Sequence, residues 1–344
     1  MINYYQPRLL PFLQWQKNKL PENLECKYYL SFEDALWHIF SNKRVKFLVP
    51  DFYCSDVLDN IREHGHEYVY YPLDKDFQIS NAKFIKYLWL YQPDVVIIFH
   101  AAGVSSQLLI DTNWLSEIPE DCVIIEDSVQ RLVDPRKTKP INNSHVVIDS
   151  LRKVSPIPGS RVFGKPDFFD KLPKRTLTTW HYAPLAFLYY LIFRLGLRLG
   201  FTTWAFDKAL KRHDDLVGND FGSALGIPFF WPLINRLNYN KIYKNKEDLV
   251  KIYEDYLKKI YINPLFYKIE ITEEDFGKLH VYPVGINGPP PEKLIRHLHN
   301  NKILVWYKFT DTPWSKNRGI LFLPLGFHIK ENDIKKIGEV LGKW

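Results

Sequence analysis

Apolar residues in the first half of the chain fall into short β-rich runs separated by amphipathic stretches. The strand-like runs are Val45–Val49, Glu67–Tyr71, Asp94–His100, Cys122–Glu126 and Val146–Ile148. Between them, Ser55–His64, Ala82–Tyr91 and Thr112–Glu117 carry helical spacing. Strands that alternate with helices build βαβ units. The pattern therefore predicts an α/β fold, a mostly parallel sheet with helices on both faces. Such sheets gather ligands at the C-terminal ends of their strands. His100, Asp127 and Ser150 fall at or just beyond three of those ends.

After Gly164 the pattern changes. Tyr182–Leu199 reads YAPLAFLYYLIFRLGLRL, within a strongly apolar and aromatic stretch. Its uninterrupted apolar part is shorter than the ~20 residues that span a bilayer, and Arg194 and Arg198 break it. A core or dimer-interface helix is expected there, with a helix lying on a membrane surface as the alternative. Lys241–Lys259 has the spacing of a long amphipathic helix. Beyond it the α/β pattern restarts. A strand at Val281–Ile286 leads into a Gly-Pro-Pro-Pro turn and a helix at Glu292–Asn300. A strand at Ile303–Tyr307 and a last helix near Asn332–Leu341 follow. Two domains are expected: a large one over residues 1–235 and a small C-terminal α/β one over 236–344.

Composition narrows the class. The 344 residues are 46% hydrophobic and 25% charged, which suits a globular protein with a sizeable core. The net charge is +7, but the basic residues are spread along the chain and form no nucleic-acid-binding block. Cys26, Cys54 and Cys122 show no CxxC spacing and no cluster with histidine, so no metal site is expected. So few cysteines fit a reducing compartment, and the first twenty residues lack the pattern of a signal peptide; a cytoplasmic location is expected.

Two residues carry candidate chemistry. Lys153 lies in Ser150-Leu151-Arg152-Lys153-Val154-Ser155-Pro156-Ile157-Pro158-Gly159, after one strand-like run, and Asp127 closes another. Singly, each has an ordinary reading: a lysine in a proline-rich loop, and an aspartate capping a helix. Across a parallel sheet the two can meet. A lysine forms an imine with an aldehyde, and a buried aspartate keeps a pyridine nitrogen protonated; together they suggest pyridoxal 5′-phosphate (PLP) chemistry.

Five stretches, in order, resemble the DegT/DnrJ/EryC1/StrS family of fold-type-I PLP enzymes. Val49-Pro50-Asp51-Phe52-Tyr53-Cys54 resembles its early strand-end segment, and Phe99-His100-Ala101-Ala102-Gly103 its "VH-x-x-G" strand end. Glu126-Asp127-Ser128-Val129-Gln130 is similar to "ED-x-A-Q", and Ser150-Leu151-Arg152-Lys153 with Pro156 and Gly159 to its lysine loop. Ile320–Leu325 followed by Glu331–Ile334 resembles its "LP … DI" ending.

The resemblance implies a PLP-dependent transferase fold and a homodimer. It makes Lys153 the catalytic lysine, Asp127 the partner of the ring nitrogen, Gln130 a contact on the 3-hydroxyl side, and Ser150 a phosphate ligand. His100 would line the pocket, though a satisfied core histidine is an equal reading. Asn219, in Gly218-Asn219-Asp220-Phe221, would complete the partner's phosphate site, or mark a loop turn.

The chain also departs from the family. Where "SGT-x-AL" normally opens a phosphate-binding helix, it has Ser31-Phe32-Glu33-Asp34-Ala35-Leu36. Ser31 still suits a cap and a phosphate donor, but two carboxylates beside a phosphate are unfavourable. The ring-stacking aromatic aligns with Cys54; either Cys54 covers the ring or Tyr53 stacks on it.

The activity implied is transfer of an amino group, with glutamate as donor, to a keto-sugar nucleotide in polysaccharide or amino-sugar biosynthesis. Two alternatives stay open: a PLP enzyme acting on a non-sugar substrate, and a catalytically weak or silent relative serving as a binding or scaffold component.

Overall fold

The computed structural model describes Ile2 and residues 12–41, 43–151, 159–173, 182–201, 205–216, 234–305 and 311–344. Its centre is a seven-stranded sheet of order β1-β7-β6-β5-β4-β2-β3. The strands are β1 Glu25–Tyr29, β2 Lys46–Pro50, β3 Glu67–Tyr71, β4 Val95–Phe99, β5 Val123–Ser128, β6 His145–Ser150 and β7 Ser160–Gly164. Strands β2 to β6 pair in parallel. β7 runs against both of its neighbours, so β1 again points the same way as β6. The middle strand β4, Val-Val-Ile-Ile-Phe, is buried at every position, as a strand covered on both faces requires.

The expected α/β architecture is the one observed, with local differences. Helices α1 Phe32–Phe40, α2 Ser55–Glu63 and α3 Asn81–Tyr91 follow β1, β2 and β3. Thr112–Glu117, expected as a helix, forms a 3₁₀ turn at Asn113–Glu117. The helix at 182–199 forms as α4, and Tyr239–Leu257 as α5. No helix among the described residues is long and apolar enough to cross a membrane.

A second, antiparallel sheet of order β10-β9-β8 combines Phe266–Lys268, Tyr282–Asn287 and Arg318–Leu323, with α6 Glu292–Asn300 and α7 Glu331–Leu341. The strand expected at Ile303–Tyr307 is absent over its described part. Ile303 makes only an isolated bridge to Ile2, and residues 306–310 lie outside the described residues. One side chain locks the region together. Lys246 of α5, wholly buried, donates to the carbonyls of Leu279 at 2.7 Å and Leu325 at 3.1 Å.

Candidate active site

Since six of the seven strands point one way, Ser31, Tyr53, Cys54, His100, Asp127 and Ser150 all emerge at one end of the sheet. Register then divides them by face. Successive residues of a strand alternate sides. Asp127 pairs with Phe99 and Ile148, and Ser150, two residues beyond Ile148, pairs with Ser160. Asp127, Ser150 and Ser160 therefore share one face. Glu126 and Asp149 belong to the other.

On the first face the Asp127 side chain is buried, at 2% exposure. Tyr53 Oη donates to Asp127 Oδ2 at 2.7 Å, and the Val129 N–H donates to Oδ1 at 3.0 Å. Tyr53 packs edge-on against Phe99, with ring centroids 5.3 Å apart. Burial, and then the adjacent Asp127 carboxylate, push the Tyr53 phenol well above its usual range, so it stays a donor. Cys54 is half-buried and takes the N-cap position of α2 without a side-chain capping bond. The rings set edge-on here give Tyr53 a polar role beside Asp127.

His100 is divided between the faces. Its backbone N–H donates to the Asp127 carbonyl at 3.0 Å. Its ring turns to the second face, where Nε2 lies 3.0 Å from Glu126 Oε1. The Ser106 N–H and the Val104 carbonyl both lie 3.3 Å from His100 Nδ1. His145 approaches the other Glu126 oxygen at 3.4 Å, and Ser128 donates to Oε1 at 3.2 Å. Burial alone would raise the Glu126 pKa; the histidine N–H groups outweigh it and hold the carboxyl well below its usual range. Gln130 is also committed, its amide oxygen accepting the Ala102 N–H at 2.6 Å. Ala102 is left-handed (φ 56°), and Gly103 follows at φ 91°. A Cβ on Gly103 would stand 2.6 Å from the Gln130 carbonyl, so only glycine fits that turn.

The start of α1 sits near this pair and is acidic. Ser31 caps the helix: its Oγ accepts the Asp34 N–H at 3.1 Å and donates to Asp34 Oδ2 at 2.8 Å. Phe32 is buried in the core. The charge of Glu33 adds to the rise in the Tyr53 pKa, so it lies within electrostatic reach. Of the remaining predicted site residues, Ser150 is buried opposite Ser160, while Lys153 and Asn219 lie outside the described residues.

The sequence reading missed several groups. Ser160 Oγ is buried beside Ser150 without a hydrogen-bond partner among the described residues. On the opposite face, Arg161 and Asp149 form a fully buried pair, with Nη2–Oδ2 at 2.5 Å and Nε–Oδ2 at 3.0 Å. Tyr239 Oη also accepts from Arg161 Nη1 at 3.1 Å. Antiparallel pairing of Ser150 with Ser160 is the feature that brings these residues together, and it is a tertiary one.

No sequence-family model matches this chain, and no curated protein sequence does. Solved structures do match. A DegT DnrJ EryC1 StrS aminotransferase from Brucella abortus superposes with TM-score 0.57 at 15% identity, over 92% of this chain and 85% of that one. The chain has the fold of fold-type-I PLP-dependent transferases. A sugar aminotransferase from Micromonospora echinospora gives TM-score 0.57 at 11% identity, over 94% and 88%. A decarboxylase from Sulfurospirillum multivorans gives 0.52 at 13%, over 94% and 82%. One fold thus carries different chemistries, so the site must argue for the reaction.

The residues fit the cofactor in part. A buried carboxylate held in place by the Tyr53 phenol and the Val129 N–H is the kind of group a protonated ring nitrogen needs. The orphaned Ser160 hydroxyl beside Ser150 has donor capacity for a phosphate. The α1 terminus does not fit a phosphate, because Ser31 is spent on Asp34 and Glu33 stands nearby.

Proposed function

We propose that this chain is a PLP-dependent aminotransferase, passing an amino group from glutamate to a keto-sugar nucleotide. The observation that carries the reading is the buried Tyr53–Asp127 pair at the strand ends of this fold. PLP, when bound, supplies an electron sink for the substrate carbon. In this reading Asp127 holds the ring nitrogen, and Tyr53 and the Val129 amide hold Asp127. Gln130 and the Ala102–Gly103 turn shape the ring's surroundings, Ser150 with Ser160 meets the phosphate, and Lys153 attaches the cofactor and moves the proton. Cys54 covers the ring, and a homodimer completes each site through Asn219. Residues 1–235 and 236–344 act as the large and small domains.

Purified protein supplied with PLP should take up the cofactor and absorb visible light, and Lys153→Ala should not. The amino-loaded form should regenerate that spectrum with at least one keto-sugar nucleotide. Regeneration by simple keto acids alone would favour a non-sugar substrate. The carboxylates at the α1 terminus support a second reading, a catalytically silent scaffold component. Wild-type protein that takes up no PLP in excess would select it.

A further inference from the structure

The end of the sheet opposite the candidate site holds an open cavity of about 370 Å³. It lies where α1 and α2 end and where β2 and β3 begin, and Trp37, Lys43, Arg44, His64 and His66 are in its wall. The buried ring of Trp37 stacks on His64, with centroids 3.8 Å apart and planes 10° apart. Backbone groups hold both imidazoles. His64 Nδ1 lies 2.9 Å from the Asn60 carbonyl, which can only accept, so Nδ1 carries a proton. The Val45 N–H, which can only donate, reaches His66 Nδ1 at 3.3 Å, so the neutral His66 ring has its proton on Nε2. His66 is 9% exposed, and this Nε2–H has no partner among the described residues. It is an unspent donor on a side chain that lines a cavity.

Charge selects the guest. Around His66, the segment before β2 supplies Lys43 and Arg44, the end of α2 supplies His64, and β3 supplies Glu67. The rings of Trp37, Phe40 and Phe47 from α1 and β2 pack on it without charge. Glu67 takes one bond from Arg44, at 2.9 Å, and the guanidinium keeps further donors. No acid is among the described lining residues, so the wall suits no metal ion. Burial, and then His64 and Arg44, pull the His66 pKa below its ordinary value, which marks a positive field at the ring. The two helix ends oppose that field with about half a negative charge each. Their last carbonyls are already occupied, however, by the N–H groups of Lys43, His64, Gly65 and His66. Donors that converge from separate segments match the several oxygens of a phosphate better than the two of a carboxylate.

We propose that this cavity binds the phosphate group of a small metabolite, at the end of the sheet remote from the Tyr53–Asp127 pair. Lys43 and Arg44 supply the charge, and His66 Nε2–H supplies a fixed hydrogen bond. Histidine-labelled full-length protein tests this by NMR, with His66→Gln identifying the His66 signal. Inorganic phosphate at constant ionic strength should raise the His66 pKa by roughly half a unit or more, and acetate should not. Lys43→Gln with Arg44→Gln, both at exposed positions, should raise the phosphate concentration needed for half the effect about tenfold or more, with the melting curve unchanged. Glycerol 3-phosphate separates the two sources of the group: tighter binding than phosphate assigns an ester, weaker binding the free ion. A His66 signal that phosphate leaves in place overturns the proposal. So do equal shifts with acetate, or a double variant that responds like wild type.

Discussion

The phenol of Tyr53 donates to the buried carboxylate of Asp127 at 2.7 Å, joining the segment after β2 to the end of β5. Tyr53→Phe removes that donor and little volume. A bond to a charged acceptor contributes about 1.5–3 kcal/mol. Urea unfolding should show a loss of that size, and an unchanged midpoint would mean that the bond does not stabilise the fold.

Glu33 places a negative charge where a bound phosphate would feel it. Glu33→Thr should tighten PLP about tenfold and leave pyridoxal, which lacks the phosphate, unaffected. Paired absorbance titrations measure the ratio. Equal tightening of both ligands would count against an electrostatic effect.

Asp149 and Arg161 are both wholly interior, so removing one partner strands the other. Asp149→Ala should cost about 3–5 kcal/mol, whereas replacing both by leucine and methionine should cost much less. Chemical denaturation of the single and double variants separates the two cases.

Lys246 gives a signed pH dependence. Burial pulls its pKa down from 10.5 to about 7. Below pH 7 the folded and unfolded chains both carry the proton, and the burial cost is fully present. As pH rises from 7 towards 10.5 the unfolded chain holds more protons, so stability increases, by about 3–5 kcal/mol in total. The difference in unfolding free energy between wild type and Lys246→Met, followed from pH 6.5 to 9, should move in that direction. A flat difference would show that Lys246 keeps its proton.

The parallel core was legible because β2, β4, β5 and β6 carry apolar runs, with helical spacing in Ser55–His64 and Ala82–Tyr91. β7 was not: Ser-Arg-Val-Phe-Gly has a charge near its start, and the cross-strand Asp149, with Tyr239 Oη and the Val133 carbonyl, makes Arg161 acceptable inside. β1, Glu-Cys-Lys-Tyr-Tyr, lies at the sheet edge and has no clean alternation. At the site, the acid at the end of β5 and the aromatic after β2 could be read from position. That Tyr53 spends its hydroxyl on Asp127, and that the His100 ring turns to Glu126, depend on register and face. Those come from pairings between distant segments, which local pattern does not encode.

The reversed strand β7 has a kinetic consequence. Glu25 pairs with Gly164 and Tyr29 with Ser160, so β1 must wait for a partner made roughly 130–140 residues later. On a ribosome adding about 5–20 residues per second, the first strand stays unpaired for several seconds or more. The α1 end of the site, which begins directly after β1, can settle only once the chain has passed the lysine segment. Assembly of this end of the pocket therefore follows that of the parallel strands β2 to β6, and a nascent chain stalled before Ser160 would expose the edge of β6 to non-native pairing.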